Sequence, residues 1–268
     1  MEDIPYHRLA HEQVQDDRRL FHILASASFI ESASDVYTDN LVEFFHDDGE
    51  IVDWLKQHWE PEELQHGAAL ERYVRTAWPD FDWEAAYRTF LAEYLPYCAV
   101  ERLAGTRALE MAARCVVETG TASFYRMLSE LTGEPALQCL AARISADEVR
   151  HYKHFYRWFR RYRALERPSR LAVARTLWSR SIDVESEDAL CAYKAIFLGL
   201  NPGAAFQRHD YEAYRGSVLE LAKQHMPYDM AIKMLLKPLE LNAAVGRAVV
   251  PAATSASRFL LQRYAAHV

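Results

Sequence analysis

The sequence predicts an all-α fold, and three of its features support that prediction. Ala, Leu, Glu and Arg, which favour helices, dominate the 268 residues, whereas runs of Val, Ile and Thr are few and only 9 residues are glycine. Long segments place apolar residues three or four positions apart, which is the spacing that gives a helix one apolar face. Hydrophobic residues make up 50% of the chain, enough for a large core.

Start and stop signals divide the first two thirds of the chain into four long helices and one shorter helix. We expect the long helices at about 16–45, 47–78, 107–131 and 135–165, and the shorter one at about 83–95. Asp47 with Glu50 resembles a capping box for the second long helix. Pro61 predicts a kink inside that helix, because proline removes a helical hydrogen bond. Gly133 is expected to cap the third helix, and Pro135 to lie in the first turn of the fourth.

The remaining segment, about 168–266, predicts additional C-terminal helices with breaks near Asn201-Pro202-Gly203, Met226-Pro227 and Pro238. No linker rich in Gly, Ser and Pro divides the chain, so we expect residues 1–268 to form a single domain with a helical bundle at about 16–165.

Composition excludes several classes of function. The net charge of −7 and the isoelectric point near 5.9 argue against nucleic-acid binding. The N-terminus lacks the basic and apolar regions of a signal peptide, and no uncharged apolar run is long enough for a membrane span. Four scattered cysteines without a CxxC pair fit reduced thiols, and we expect a cytoplasmic protein. Phosphate-binding glycine loops and a Gly-x-Ser-x-Gly elbow are also missing from the sequence.

Two Glu-x-x-His pairs carry the chemistry of this sequence. Glu63 and His66 lie on the second long helix, and Glu148 and His151 on the fourth. A spacing of three residues places the carboxylate and the imidazole on one helical face. One such pair is often a solvated surface feature, but both pairs fall within the apolar stripe of their helix. A buried carboxylate is costly unless a cation accompanies it, so the pattern predicts a metal site.

The first and third long helices each place one acid in the middle of an apolar stripe, Glu31 and Glu118 respectively. Four inward glutamates carry four negative charges, which two divalent cations would neutralise. Carboxylate and imidazole ligands suit iron or manganese better than a structural zinc ion. One Glu from each of two helices and Glu-x-x-His from each of two others is the di-iron carboxylate pattern of helical bundles. For the first helix, Asp35, Glu43 and Glu50 are alternatives to Glu31.

The segments Trp59–Gly67 and Ala146–His151 resemble the two motif helices of soluble acyl-carrier-protein desaturases, which belong to the ferritin-like di-iron carboxylate superfamily. The resemblance spans about residues 20–165 and implies a ferritin-like four-helix bundle with additional C-terminal helices. It implies a proton-relay role for Thr121, which by another interpretation is only a small packing residue. It also implies that Glu62 and Asp147 orient the histidine ligands.

The sequence departs from the family in three respects. The connection between the first two long helices is shorter, Pro61 precedes Glu63 by two residues, and the last hundred residues show no similarity. These departures affect the expected substrate more than the expected metal.

The resemblance implies an oxygen-dependent di-iron oxidoreductase that acts on an apolar substrate, such as a fatty acyl thioester in a desaturation. The cofactors would be two Fe ions, with Mn as the alternative, and dioxygen would be the co-substrate. Electrons would come from an external donor such as ferredoxin, because the sequence has no flavin or nicotinamide motif. Alternatives are a di-iron hydroxylase or N-oxygenase, and an iron-handling ferritin-like protein without an organic substrate.

The expected partners follow from the same interpretation. A basic run at the end of the fourth helix is either a solvated surface or a docking site for an acidic carrier protein; it contains Arg157, Arg160, Arg161, Arg163, Arg167 and Arg170. We also expect a homodimer.

Overall fold

The computed structural model describes residues 1, 3–182 and 187–264. This part of the chain is helical and contains no strand, which confirms the all-α prediction. No described helix is long and apolar enough to cross a lipid bilayer. The α-helices are α1 (His11–Val14), α2 (Arg18–Ser32), α3 (Ser34–Phe44), α4 (Gly49–Trp54), α5 (Glu60–Ala77), α6 (Trp83–Tyr94), α7 (Arg107–Leu131), α8 (Pro135–Glu166), α9 (Arg170–Ile182), α10 (Glu187–Leu200), α11 (Arg208–His225), α12 (Tyr228–Leu236) and α13 (Ala243–Tyr264).

The chain divides into two compact units. The first comprises Met1–Arg102, Thr132–Leu140 and Glu185–Arg215, and the second comprises Leu103–Leu131, Ala141–Val184 and Gly216–Val268. Segments that follow the predicted bundle therefore contribute to both units, rather than forming an appendage of their own. The ferritin-like arrangement and the single domain stay predictions.

The third and fourth long helices lie where the sequence predicts them, as α7 and α8. The first is interrupted: α2 ends at Ser32 and α3 begins at Ser34, with Ala33 between them at φ −101° and ψ 13°. The amide of Ala33 donates to the carbonyl of Ile30, three residues back, at 3.2 Å. This tighter hydrogen bond marks the end of α2 directly after Glu31, one of the candidate ligands.

The second long helix changes its hydrogen-bonding pattern where the sequence predicts a kink. A π-helical segment, Leu55–Trp59, separates α4 from α5, and the Glu60 amide donates to the carbonyl of Leu55. Pro61 then lies in the first turn of α5, directly after the π-helical segment. The predicted capping box starts one residue too early, because the N-cap of α4 is Asp48 and not Asp47.

Helices α2 and α5 pack directly against each other in the first unit. At Gly67 the two backbones approach so closely that a Cβ atom would lie 2.6 Å from the backbone nitrogen of Ser32. Only glycine fits this position without a shift of one helix. The contact joins the residues that directly follow the candidate ligands His66 and Glu31.

A buried glutamate, rather than the predicted glycine, organises the turn before α8. Gly133 does not adopt the left-handed conformation expected of a helix cap. Instead, the carboxylate of Glu134 accepts hydrogen bonds from the amides of Ala136 at 3.1 Å and Leu137 at 2.7 Å, and from the Tyr73 hydroxyl at 2.8 Å. Glu134 therefore provides the N-terminal cap of α8 and also connects it to α5.

In the second unit, α7 packs against α9 and α12, and α12 packs against α13. The Tyr152 hydroxyl on α8 donates to the carbonyl of Met234 on α12 at 2.6 Å. An ion pair is buried on α7, where Arg114 Nε lies 3.1 Å from Glu110 Oε1 and both side chains are at most 4% exposed. The second carboxylate oxygen of Glu110 accepts the amide of Ala104, which secures the segment that precedes α7.

One histidine in the first unit lies in an aromatic cluster. The His22 ring centroid is 4.8 Å from that of Tyr193 and 5.5 Å from that of Tyr214. Burial disfavours the charged imidazolium, and the neighbouring Arg18 repels it, so the pKa of His22 falls from 6.5 to about 4.

We predict that Gly67→Ala lowers the free energy of unfolding by about 1–3 kcal/mol, because the added methyl overpacks the contact with Ser32. Gly120→Ala is the matched control: Gly120 is also inside a helix, but nothing lies within 4 Å of its Cβ position. Alanine there should raise the stability by up to about 1 kcal/mol through helix propensity. Chemical denaturation of both variants measures these changes, and equal effects would contradict the close contact.

We predict that protonation of His22 in the unfolded chain destabilises the protein in mild acid. Between pH 6.5 and about 4 the unfolded state binds a proton that the folded state excludes. The free energy of unfolding therefore decreases as the pH falls through this window, by on the order of 3 kcal/mol, and the His22 contribution is constant below it. His22→Phe should lose this part of the pH dependence in denaturation curves, whereas a change of the exposed His58 to Phe should retain it.

Candidate metal centre

The first unit brings three of the predicted ligands together. Helix α2 supplies Glu31, and α5 supplies Glu63 and His66 from adjacent turns. His66 Nδ1 lies 3.9 Å from Glu31 Oε2 and 3.8 Å from Glu63 Oε2. All three side chains are buried, and His66 has no exposed surface. We call this set the α2–α5 half-site.

The second unit contains a matching set, which we call the α7–α8 half-site. Helix α7 supplies Glu118, and α8 supplies Glu148 and His151. His151 Nδ1 lies 3.7 Å from Glu118 Oε2 and 3.8 Å from Glu148 Oε2. Each of the three residues is at most 2% exposed. The two half-sites thus repeat the same residue types with nearly the same distances.

These distances suit ligands of a common ion better than hydrogen-bonded partners. A hydrogen bond between an imidazole and a carboxylate would place the two atoms about 2.7–3.2 Å apart. Two ligand atoms that each lie about 2.1 Å from one ion are at most about 4.2 Å apart. The four nitrogen-to-oxygen distances, from 3.7 to 3.9 Å, exceed the first range and fall within the second limit.

Ligand atoms from the six residues form two groups, in each of which all atoms lie within 4.8 Å of one another. One group combines Glu31, Glu63, His66 and Glu148, and the other combines Glu63, Glu118, Glu148 and His151. Each group can hold a metal ion. Glu63 and Glu148 belong to both groups.

The charge of these groups favours cations. If ionised, the four glutamates carry four negative charges at positions that are less than 10% exposed. Like charges repel strongly at such distances in the low dielectric of a protein interior. Two divalent cations would neutralise them, which makes the cluster compatible with a two-metal site.

Thr121 contacts one of the candidate ligands. Its hydroxyl oxygen lies 2.9 Å from Glu148 Oε2, and also 3.2 Å from the carbonyl of Val117 and 3.3 Å from that of Glu118. The single hydroxyl proton can therefore be donated to the carboxylate or to the helix backbone. The neighbouring Thr119 differs, because its hydroxyl donates to the carbonyl of Cys115 at 2.6 Å.

Among the acids considered for the first helix, only Glu31 is buried. Asp35, Glu43 and Glu50 are exposed, and none of them belongs to either group. Of these four acids, Glu31 is therefore the one that lies beside Glu63 and His66.

The predicted orienting role of Glu62 and Asp147 stays a prediction. Because Nδ1 of each histidine faces the carboxylates, Nε2 is the nitrogen that an outer acceptor would orient. Asp147 forms an ion pair with Arg150 one turn along α8.

Two arginines of the basic run at the end of α8 have acidic partners within the chain, since Arg160 and Arg163 both form ion pairs with Glu240.

The backbone features that surround the candidate ligands were not predicted from the sequence. The signal for the close α2–α5 contact was a glycine directly after His66 and a serine directly after Glu31. The signal for the π-helical segment was Pro61, which was interpreted as a kink.

The chain matches no protein-family model, no curated protein and no solved structure.

We predict that Glu63→Gln abolishes the binding of at least one of two ferrous ions, because Glu63 belongs to both groups. In the metal-free protein the same change should raise the melting temperature, since it removes a buried negative charge from a crowd of carboxylates. Anaerobic ferrous titration and thermal unfolding with and without metal measure both effects. Glu84→Gln is the control, an exposed glutamate on α6 in an ion pair with Arg88; ferrous binding equal in the two variants would refute the site.

Proposed function

We propose that this protein is an oxygen-dependent di-iron oxidoreductase that acts on an apolar substrate. The observation that carries the proposal is the repetition of one Glu and one Glu-x-x-His pair in two half-sites, with Glu63 and Glu148 in both ligand groups. Structural zinc sites use mainly thiolate and imidazole ligands, whereas this set offers four carboxylates and two imidazoles. Such oxygen-rich sites suit ferrous iron, with manganese as the alternative.

Bound iron would supply the oxygen-activating chemistry and the electrons for it. An external donor such as a ferredoxin would replace those electrons. The chain itself positions the ligands and holds a proton nearby. The Thr121 hydroxyl donates a hydrogen bond to Glu148 Oε2 at 2.9 Å, so it holds a proton at that carboxylate. This geometry supports a proton-relay role better than a packing role alone.

Apolar side chains next to the ligands support an oxidation protected from water. On α8, Ile144 lies one turn before Glu148 and Phe155 one turn after His151, and neither has exposed surface. On α7, Met111 and Cys115 are equally buried before Glu118. A dry environment of this kind limits the loss of reactive oxidants to solvent.

The resemblance to acyl-carrier-protein desaturases favours a fatty acyl thioester as the substrate and desaturation as the reaction. Hydroxylation or N-oxygenation would use the same ligands, because the outcome depends on where the substrate lies relative to the metal. Mass spectrometry of apolar molecules that co-purify with the protein distinguishes these outcomes after turnover. Desaturation removes two hydrogen atoms from the substrate, whereas hydroxylation adds one oxygen atom.

We predict that the ferrous protein consumes dioxygen rapidly and that uptake stops when about two irons per chain are oxidised. Thr121→Val should slow the uptake by tenfold or more without lowering the iron content, because it removes the proton donor at Glu148. Thr121→Ser should restore most of the rate.

Oxygen-electrode traces under stepwise addition of ferrous iron provide the measurement. Uptake that continues through many irons per chain would contradict the oxidoreductase and would indicate iron storage. A Thr121→Val protein as fast as the wild type would contradict the relay.

A further inference from the structure

Helix α9 exposes two large apolar side chains on its outer side. Leu171 is 79% exposed and Trp178 is 66% exposed, and their separation of seven residues places them on the same face. The opposite face is part of the core of the second unit: Val173 and Leu177 are buried where α9 packs against α7. The Trp178 indole therefore lies on the outer face of α9, and the inner face of this helix packs against α7.

Arginines surround these apolar side chains. Residues 157–182 contain eight arginines and one acid, in a chain whose net charge is −7. The acid, Glu166, accepts the amides of Arg107 and Ala108 at the start of α7. Arg167, Arg170 and Arg175 are exposed, and Arg175 lies between Leu171 and Trp178 on the same side of α9.

We propose that this surface, Leu171, Trp178 and the arginines 167, 170 and 175, binds an anionic lipid bilayer. We call it the α9 outer face. Arginine guanidinium groups bind lipid phosphates, while tryptophan and leucine enter the boundary between headgroups and acyl chains. The helix lies in the plane of the membrane surface and does not cross it.

Two features favour a lipid surface over a groove on an acidic protein. The apolar side chains alternate with arginines. A lipid layer can accommodate this arrangement, because apolar side chains insert among the acyl chains while guanidinium groups stay at the headgroups. The positive charge is local and opposite to that of the whole chain, so it directs this one face toward an anionic surface. The inference does not depend on the metal centre, although a membrane would also be a source of apolar substrate.

Co-sedimentation of the full-length protein with vesicles tests the proposal. One set of vesicles contains phosphatidylcholine alone, and the other contains equal amounts of phosphatidylcholine and phosphatidylserine. We expect binding to the anionic vesicles at least tenfold tighter than to the neutral ones, and weaker binding as salt is added. Trp178→Ala and the double change Arg170→Glu with Arg175→Glu should each lower the affinity at least tenfold.

The matched control is Arg88→Glu, which changes an exposed arginine on α6 that pairs with Glu84. It should bind anionic vesicles as the wild type does. All substituted side chains are exposed, so circular dichroism should show the same helical content in each variant.

Three results would overturn the proposal. The first is equal affinity for the two sets of vesicles, or no binding to either set. The second is a pair of variants that bind as tightly as Arg88→Glu. The third is a wild-type protein that does not bind vesicles but self-associates through Trp178, as shown by sedimentation velocity of Trp178→Ala; a second copy would then cover the α9 outer face.

Discussion

The electrostatic cost of burying four glutamates is the constraint on which the rest of this structure depends. Helices that carry acids on their apolar faces would not normally pack those faces inward. Removing carboxylates from water costs free energy, and the buried negative charges repel one another. Bound divalent cations would reverse the sign of that effect, because their binding would stabilise the folded state. Each half-site pairs a histidine with two glutamates at nearly constant distances, from 3.7 to 3.9 Å, which are compatible with ligands of one ion.

Irregular backbone is concentrated next to the ligands. Helix α2 ends immediately after Glu31, a π-helical segment precedes Glu63, and the Gly67 contact with Ser32 directly follows His66. π-helical segments add a residue to a helical turn and therefore rotate the side chains that follow. Together these features determine how closely α2 approaches α5 and which way their carboxylates point. The α7–α8 half-site lies within two uninterrupted helices, so its ligands are positioned by regular helix geometry alone.

Much of this was predictable because helices impose a period on the sequence. The spacing of Glu63 with His66 and of Glu148 with His151, within apolar stripes, was sufficient to identify these four residues as members of the buried Glu/His groups. The bounds of α7 followed from the same period together with Gly133 and Pro135 at the next turn. The capping of α8 by Glu134 was not predictable, because that carboxylate is also held by a tertiary hydrogen bond from the Tyr73 hydroxyl. The exposed indole of Trp178 was hidden for a similar reason: the sequence does not reveal which side of α9 faces the core.

Anomalous X-ray diffraction from crystals grown anaerobically with ferrous iron is the most direct test of the central claim. We expect two iron peaks per chain, one beside Nδ1 of His66 and one beside Nδ1 of His151. A single peak, or peaks confined to surface carboxylates away from these histidines, would contradict it.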